Sequence, residues 1–180
     1  MRNVPSSHQP LRKGEKDRLQ PALLDRLSDD SPDKRQEQGG DHGMMNYEAL
    51  RKAVLRDLRW VLNTTSLDAD HDLAAWPHVK NSTLNFGVAA LAGKSMSEID
   101  WTDVEASVSA SIMRFEPRIL PESLAVSCIT EKNVLEHHNV LSLLIKGKLW
   151  CNPYPREFMF RTDIDLESGH MDLREQQGAQ

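Results

Sequence analysis

The sequence predicts an α+β fold: two main helices packed on a small antiparallel three-stranded β-meander, with a flexible N-terminal extension. Two observations predict it. Apolar residues recur at helical spacing in two stretches in the middle of the chain, and after residue 120 the apolar period falls to two over three short stretches. Helices that are followed by a run of strands are typical of the α+β class.

The N-terminal segment, residues 1–45, is rich in proline, glycine and balanced charge. It holds too little apolar surface to offset the entropy of ordering, so we predict that it is mostly disordered. One apolar island interrupts it near residues 21–30, where Leu23, Leu24 and Leu27 share a helical face. So short a helix is marginal alone, and we expect it to order by docking on its own domain or on a partner.

We predict one α+β domain over residues 46–168. Its first helix follows Asn46, a residue type that favours the N-cap position. Its apolar positions are Tyr47, Leu50, Val54, Leu58 and Val61, widened by Trp60 and Leu62. The second helix begins near Ser95 or Ser97 and buries Trp101, Val104, Val108, Ile112 and Phe115. Between the helices, residues 82–87 predict a capped turn with Leu84 and Phe86 as apolar anchors.

Three strands are predicted over residues 124–130, 139–150 and 157–166, because apolar and polar residues alternate there. The third strand is the most regular, so we predict that it is an exposed edge of the sheet. Residues 169–180 are expected to form a flexible C-terminal tail. We see no internal repeat.

Composition and charge argue against several classes of protein. The net charge of −5 does not provide the basic surface of a nucleic-acid-binding protein. Apolar runs are too short to span a bilayer, and the basic N-terminus lacks the apolar segment of a secretory signal. We therefore expect a cytoplasmic protein whose two cysteines, Cys128 and Cys151, are free thiols. We expect no cofactor and no metal site, since a glycine-rich phosphate loop and a metal-ligand spacing are both missing from the sequence.

The most unusual local feature is Glu116-Pro117-Arg118, between an apolar helix and the strands. Pro117 cannot continue the helix and favours extended backbone at Glu116. Glu116 and Arg118 then project to the same side. Two interpretations stay open: the charges pair with each other as an internal cap, or they are offered to a partner. A catalytic use of Glu116 with Glu122 is a third, weaker interpretation, because nothing marks these two residues as a pair.

Four segments in order resemble one known family: PALLDRL at 21–27, LRKAVLRDLRWVLNTT at 50–65, VKNSTLNFGV at 79–88, and the Glu-Pro-Arg-Ile corner before alternating strands. Together they resemble the baseplate wedge family shared by contractile phage tails and bacterial type VI secretion systems, whose bacterial members are called TssE. The resemblance covers roughly residues 21–166.

The resemblance implies a structural role without catalysis, in the bacterial cytoplasm close to the inner membrane. It implies contacts with the wedge subunits TssF and TssG, with TssK and the spike nearby. It also implies that the protein seeds a sheath of TssB and TssC, and that Glu116, Pro117 and Arg118 are contact residues for docking to the wedge core and for sheath assembly. The alternative is a lysozyme-like peptidoglycan glycosidase that uses Glu116.

We further expect two sets of residues to bind partners. The first is the apolar island Leu23, Leu24 and Leu27, which would fold on a second subunit. The second lies on the third strand, where an added partner strand would gain backbone hydrogen bonds: Phe158, Phe160, Arg161 and Ile164.

Overall fold

A computed structural model describes residues 21–27, 45–93, 99–129 and 140–176. The helices are α1 (Leu23–Leu27), α2 (Tyr47–Leu62), α3 (Pro77–Lys80) and α4 (Trp101–Phe115). The strands are β1 (Ala125–Ile129), β2 (Val140–Leu149), β3 (Arg156–Asp165) and β4 (Met171–Glu175). The predicted α+β class is confirmed. Within the described residues, no helix is long and apolar enough to cross a membrane.

The sheet has four antiparallel strands in the order β1-β2-β3-β4, one more than predicted. The additional strand lies in the segment predicted as a tail, residues 169–180, of which 177–180 lie outside the described residues. Gly169 adopts a left-handed φ of +74°, which lets the chain reverse directly after β3. Met171 and Leu173 then enter the core at 2% and 0% exposure. Their burial explains why this segment is a strand.

The predicted edge strand, residues 157–166, is central. β3 pairs with β2 along its whole length and with β4 over Phe160–Ile164. The prediction that this strand is an exposed edge is therefore wrong, because β4 occupies the side that the sequence left open. The outer strands of the described sheet are β1 and β4.

The core lies between the sheet and the two long helices. Asn46 caps α2 as predicted, since its side chain accepts a 2.8 Å hydrogen bond from the Ala49 N–H. α4 begins at Trp101 with Asp100 as its N-cap, later than the predicted Ser95 or Ser97, which lie outside the described residues. The helical positions buried in the core against the sheet are Leu50, Val54, Leu58, Leu62, Val104, Val108 and Ile112.

Some predicted apolar anchors face solvent. Trp60 is 50% exposed, because α2 turns its ring away from the sheet, under the Arg56 guanidinium. Leu84 is 71% exposed, so the turn at 82–87 has one anchor instead of two. That anchor is Phe86, whose ring centroid lies 5.0 Å from that of Phe115. Neither Cys128 nor Cys151 forms a disulfide bond in the structure.

Candidate functional site

The corner begins where α4 ends. Glu116 has φ −122° and ψ 80°, outside the helical region, as expected for a residue before proline. Its N–H still donates to the Ile112 carbonyl at 2.9 Å, so the last turn of α4 keeps its helical hydrogen bond. The Arg118 carbonyl accepts from the Trp150 N–H at 2.8 Å. The corner is therefore tied to the chain that leaves β2.

The two charges of the corner bind each other. Glu116 is only 2% exposed, although it is a carboxylate. Arg118 Nε donates to Glu116 Oε1 at 2.7 Å, and the Arg118 backbone N–H donates to the same oxygen at 3.1 Å. Arg118 Nη2 donates to Glu116 Oε2 at 2.5 Å. Of the two interpretations that the sequence left open, the internal cap is present in the structure, and Glu116 itself does not reach the surface.

Arg118 also binds α2. Its Nη2 donates to Asp57 Oδ2, and Asp57 Oδ1 accepts from Arg56 Nε at 2.8 Å. Arg56 Nη1 in turn donates to Asp25 Oδ1 of α1 at 2.6 Å. We call Asp25, Arg56, Asp57, Arg118 and Glu116 the charge chain. It joins three segments that are distant in sequence.

The charge chain raises the pKa of Arg118. Burial by itself lowers the pKa of this guanidinium, but its bonds to Glu116, and then to Asp57, raise the pKa above its ordinary value. A charged arginine between two carboxylates is held in one orientation by directional, charge-assisted bonds. The corner is therefore a preorganised surface.

An apolar groove of about 500 Å³ opens beside the charge chain. Its apolar lining is Ala22, Leu24, Trp60, Val61, Phe86, Phe115 and Pro117. Trp60 is 50% exposed and Pro117 is also exposed. Exposed tryptophan beside arginine is the composition that dominates binding energy at protein interfaces. The arrangement can bind an apolar segment of another protein.

The apolar island contains α1, and residues 28–30 of the predicted segment lie outside the described residues. Asp25 attaches it to Arg56, so it docks on its own domain. Leu23, Leu24 and Leu27 nevertheless remain 69%, 45% and 75% exposed. The docked helix therefore extends the apolar surface around the groove.

The four residues of β3 that were predicted to bind a partner strand do not lie at an exposed edge of the sheet. Phe158, Phe160 and Ile164 are 5%, 0% and 0% exposed and face the helices. Arg161 is on the opposite face, where its Nη2 donates to Ser142 Oγ at 3.1 Å. Because β3 has a strand on each side, none of the four lies on a sheet edge.

Asp57 is a site residue that the sequence analysis missed. The only signal was its place among the charged residues of α2, opposite the apolar stripe. Its pairing with Arg118 joins residues 61 positions apart. Such a pairing requires the packing of α2 beside α4, which no local pattern contains.

The segment 82–87 also has a role that its pattern did not reveal. Asn85 is 1% exposed, and its side chain donates to the Lys80 carbonyl at 3.0 Å and accepts from the Asp68 N–H at 2.9 Å. A Cβ on Gly87 would lie 2.1 Å from the Thr64 carbonyl oxygen. These two residues fix the loop that carries Phe86 into the groove.

The glycosidase alternative requires a carboxylic acid that reaches a substrate oxygen. Both oxygens of Glu116 are bound by Arg118, and the side chain is buried. Glu122 is exposed. In the part of the chain that the structure describes, no group of three His, Cys, Asp or Glu residues could hold a metal ion. In this structure, Glu116 is therefore not placed to protonate a substrate oxygen.

Comparison with known proteins identifies the family. The sequence model of baseplate wedge protein gp25 matches residues 48–154, which is more than half of the chain and includes the whole corner. No curated protein and no solved structure matches the chain. The resemblance to the baseplate wedge family is confirmed. The chain belongs to the family of baseplate wedge protein gp25.

Proposed function

We propose that this protein is a structural baseplate component of a type VI secretion system, which joins the wedge complex and initiates polymerisation of the contractile sheath. Membership of the gp25 family supports the general part of this proposal, a structural role in a phage-tail-like baseplate. We further propose that the protein is located in the bacterial cytoplasm, close to the inner membrane. The proposal also includes sheath initiation by addition of a partner strand to a sheet edge.

One observation carries this proposal: both carboxylate oxygens of Glu116 are bound by Arg118 within the chain, while the apolar groove beside them is open. A buried, doubly bonded carboxylate is not available to act on a substrate. A rigid corner with an exposed tryptophan and proline suits docking, because little side-chain entropy is lost on binding. The wedge subunits TssF and TssG are the proposed occupants, with TssK and the spike as further neighbours.

The corner residues then have different tasks. Glu116 holds Arg118 in place and does not touch the partner. Arg118, whose side chain is 22% exposed, and Pro117 provide the contact at the rim of the groove. Leu23 and Leu24 of α1 extend the apolar surface on the other side. The sheath subunits TssB and TssC are proposed to bind at a sheet edge, away from the groove.

Recovery of TssF and TssG with the tagged protein tests the docking surface. Trp60→Ala and Leu24→Asp should each reduce recovery about tenfold or more, since both remove apolar contact from the groove. Trp76→Ala is the matched control, because Trp76 is 59% exposed and does not line the groove. Normal recovery with both groove variants, in protein that is shown to be folded, would contradict the proposal.

The function in cells has a separate test. Arg118→Ala should prevent sheath formation in cells that carry fluorescent TssB, while the purified variant still folds. Purified wild-type protein should not cleave peptidoglycan. Cleavage that Glu116→Gln abolishes would instead favour the glycosidase alternative.

A further inference from the structure

We infer that β1 is the edge that accepts the partner strand, and that Glu105 of α4 is a latch on this edge that the incoming strand displaces. The inference rests on the proposed function, and it identifies the strand and the residue that control it. Three observations on the two outer strands support it.

The outer edge of β4 is closed by α2. Asn63 Nδ2 donates to the Met171 carbonyl at 2.9 Å, and the Met171 N–H donates to Asn63 Oδ1 at 2.9 Å. The Asn63 amide thus makes the two bonds that a neighbouring strand would make. Arg59 Nη2 and Nε donate to the Leu173 carbonyl at 2.8 and 3.1 Å. A strand added at β4 would have to break four hydrogen bonds and move a main helix of the core.

The outer edge of β1 carries fewer bonds. In an antiparallel pair, residues that bond to the neighbouring strand alternate with residues whose N–H and C=O point outward. The Cys128 N–H bonds to Glu105, so Cys128 and, two positions earlier, Val126 are the outward residues. Val126 and Cys128 each have one N–H and one carbonyl that point outward. Of these four groups, the Cys128 N–H bonds to a described residue, Glu105. The two carbonyls and the Val126 N–H make no hydrogen bond on this outer side to any residue that the structure describes.

The latch is a single side chain. Glu105 Oε1 accepts from the Cys128 N–H at 2.6 Å, and Glu105 is half-buried on the flank of α4. The carboxylate occupies the position that a carbonyl of a partner strand would take. Rotation of the Glu105 side chain releases the Cys128 N–H, although α4 itself packs beside β1 and its Trp101 carbonyl oxygen lies 3.8 Å from Cys128 Sγ. The β4 edge is instead held by four hydrogen bonds to Arg59 of α2 and to Asn63, the residue that follows α2. Unpaired edges are prone to wrong association, and a removable carboxylate limits this association.

The occupant is an extended backbone segment of a partner protein. It must offer carbonyls to the Val126 and Cys128 N–H groups, and N–H groups to their carbonyls. Trp101, one turn before Glu105 on α4, is 37% exposed, although its place in the apolar pattern predicted that it is buried. An apolar side chain of the incoming strand can pack on it. These features fit a strand of alternating polarity better than a helix.

Amide hydrogen exchange tests the latch in the purified protein. Glu105→Ala should speed exchange of the Cys128 amide about tenfold or more, because its acceptor is lost. Glu105→Gln is the matched control, since its carbonyl oxygen can still accept the bond, and exchange should stay near the wild-type rate. Unchanged exchange in Glu105→Ala would overturn the latch.

Sheath formation in cells with fluorescent TssB tests the edge. Val126→Pro removes one outward N–H and leaves the pairing with β2 intact, so it should reduce the number of sheaths about tenfold or more. Val126→Ala keeps the N–H and controls for the lost side chain. If deletion of the gene leaves the sheaths unchanged, the proposed function fails. If deletion abolishes them while Val126→Pro behaves as Val126→Ala, only the inference about β1 fails.

A measurement on the wild-type chain decides the matter should Val126→Pro not fold. Addition of purified TssB–TssC to the chain should slow exchange of the Val126 amide, because the partner strand supplies its acceptor. Binding without slower exchange at Val126 would place the partner elsewhere and overturn the inference.

Discussion

Arg118 and Asp57, 61 residues apart, are joined by a hydrogen bond from Nη2 to Oδ2, which fixes the corner to α2. The same guanidinium binds Glu116, so one side chain holds the end of α4 against another helix. This contact makes the corner part of the rigid core. It also places Arg118 beside the apolar groove, at the surface proposed to dock the wedge.

Loss of the Glu116 carboxylate should destabilise the fold. Glu116→Ala leaves a largely buried guanidinium with one carboxylate fewer, so we expect the free energy of unfolding to fall by about 3 kcal/mol. Urea denaturation measures it. Glu122→Ala changes an exposed acid near the corner and should stay within about 0.5 kcal/mol of wild type. Equal effects of the two substitutions would contradict the structural role of Glu116.

Two glycines in the loops between α2 and α4 should differ sharply in their tolerance of a side chain. Gly87 has φ +124°, and a Cβ there would lie 2.1 Å from the Thr64 carbonyl oxygen. Gly87→Ala should therefore cost about 3 kcal/mol or more. Gly93 has φ +76° with no atom near its Cβ position, so Gly93→Ala should cost only about 1 kcal/mol. Thermal unfolding of the two variants compares these costs, and a reversed order would refute the close approach.

Asp68 should make stability depend on pH in the acid range. A hydrogen bond from Ser66 lowers the pKa of Asp68; burial opposes this, and Asn85 adds to the lowering. A carboxyl with a lowered folded pKa stabilises the protein fully above its ordinary pKa of 3.8, and the contribution is lost as the pH falls through the lower folded pKa. Wild type should exceed Asp68→Asn in unfolding free energy at pH 6, and the gap should shrink below pH 3.8. Urea denaturation at each pH measures the gap, and a gap that grows on acidification would be the wrong sign.

The Cys128 thiol should resist alkylation. Burial, and then Glu105, raise its pKa from 9.0 to about 12. Because the thiolate is the reactive form, its population at pH 8 is far smaller than that of an ordinary exposed cysteine. Iodoacetamide labelling followed by peptide mass spectrometry should show Cys128 unmodified in the native protein and modified in urea. Glu105→Gln should speed labelling of the native protein, because the negative charge that disfavours the thiolate is gone.

The spacing of apolar residues was sufficient to predict those helices and strands in which it follows one clear period. The Leu50–Leu58 stripe placed α2, and the alternation of Phe158, Phe160 and Ile164 gave the buried face of β3. β4 was missed because only Met171 and Leu173 alternate there, between charged residues. The signal was the Gly169 turn that precedes them. Two alternating apolar residues are too few to predict a strand. The segment becomes a strand because it pairs with β3 in the folded domain.

The sequence by itself determined that the second long helix stops before Pro117, that Glu116 and Arg118 lie on the same side, and which family the chain resembles. These features depend on neighbouring residues and their order. Only the tertiary structure decided that Glu116 is buried, that Asp57 shares Arg118, and that β3 lies inside the sheet. Each of these depends on which distant segments meet. Which segments meet is decided by the packing of apolar surface across the whole domain. The local spacing of residues does not specify which distant segment will pack against a given one.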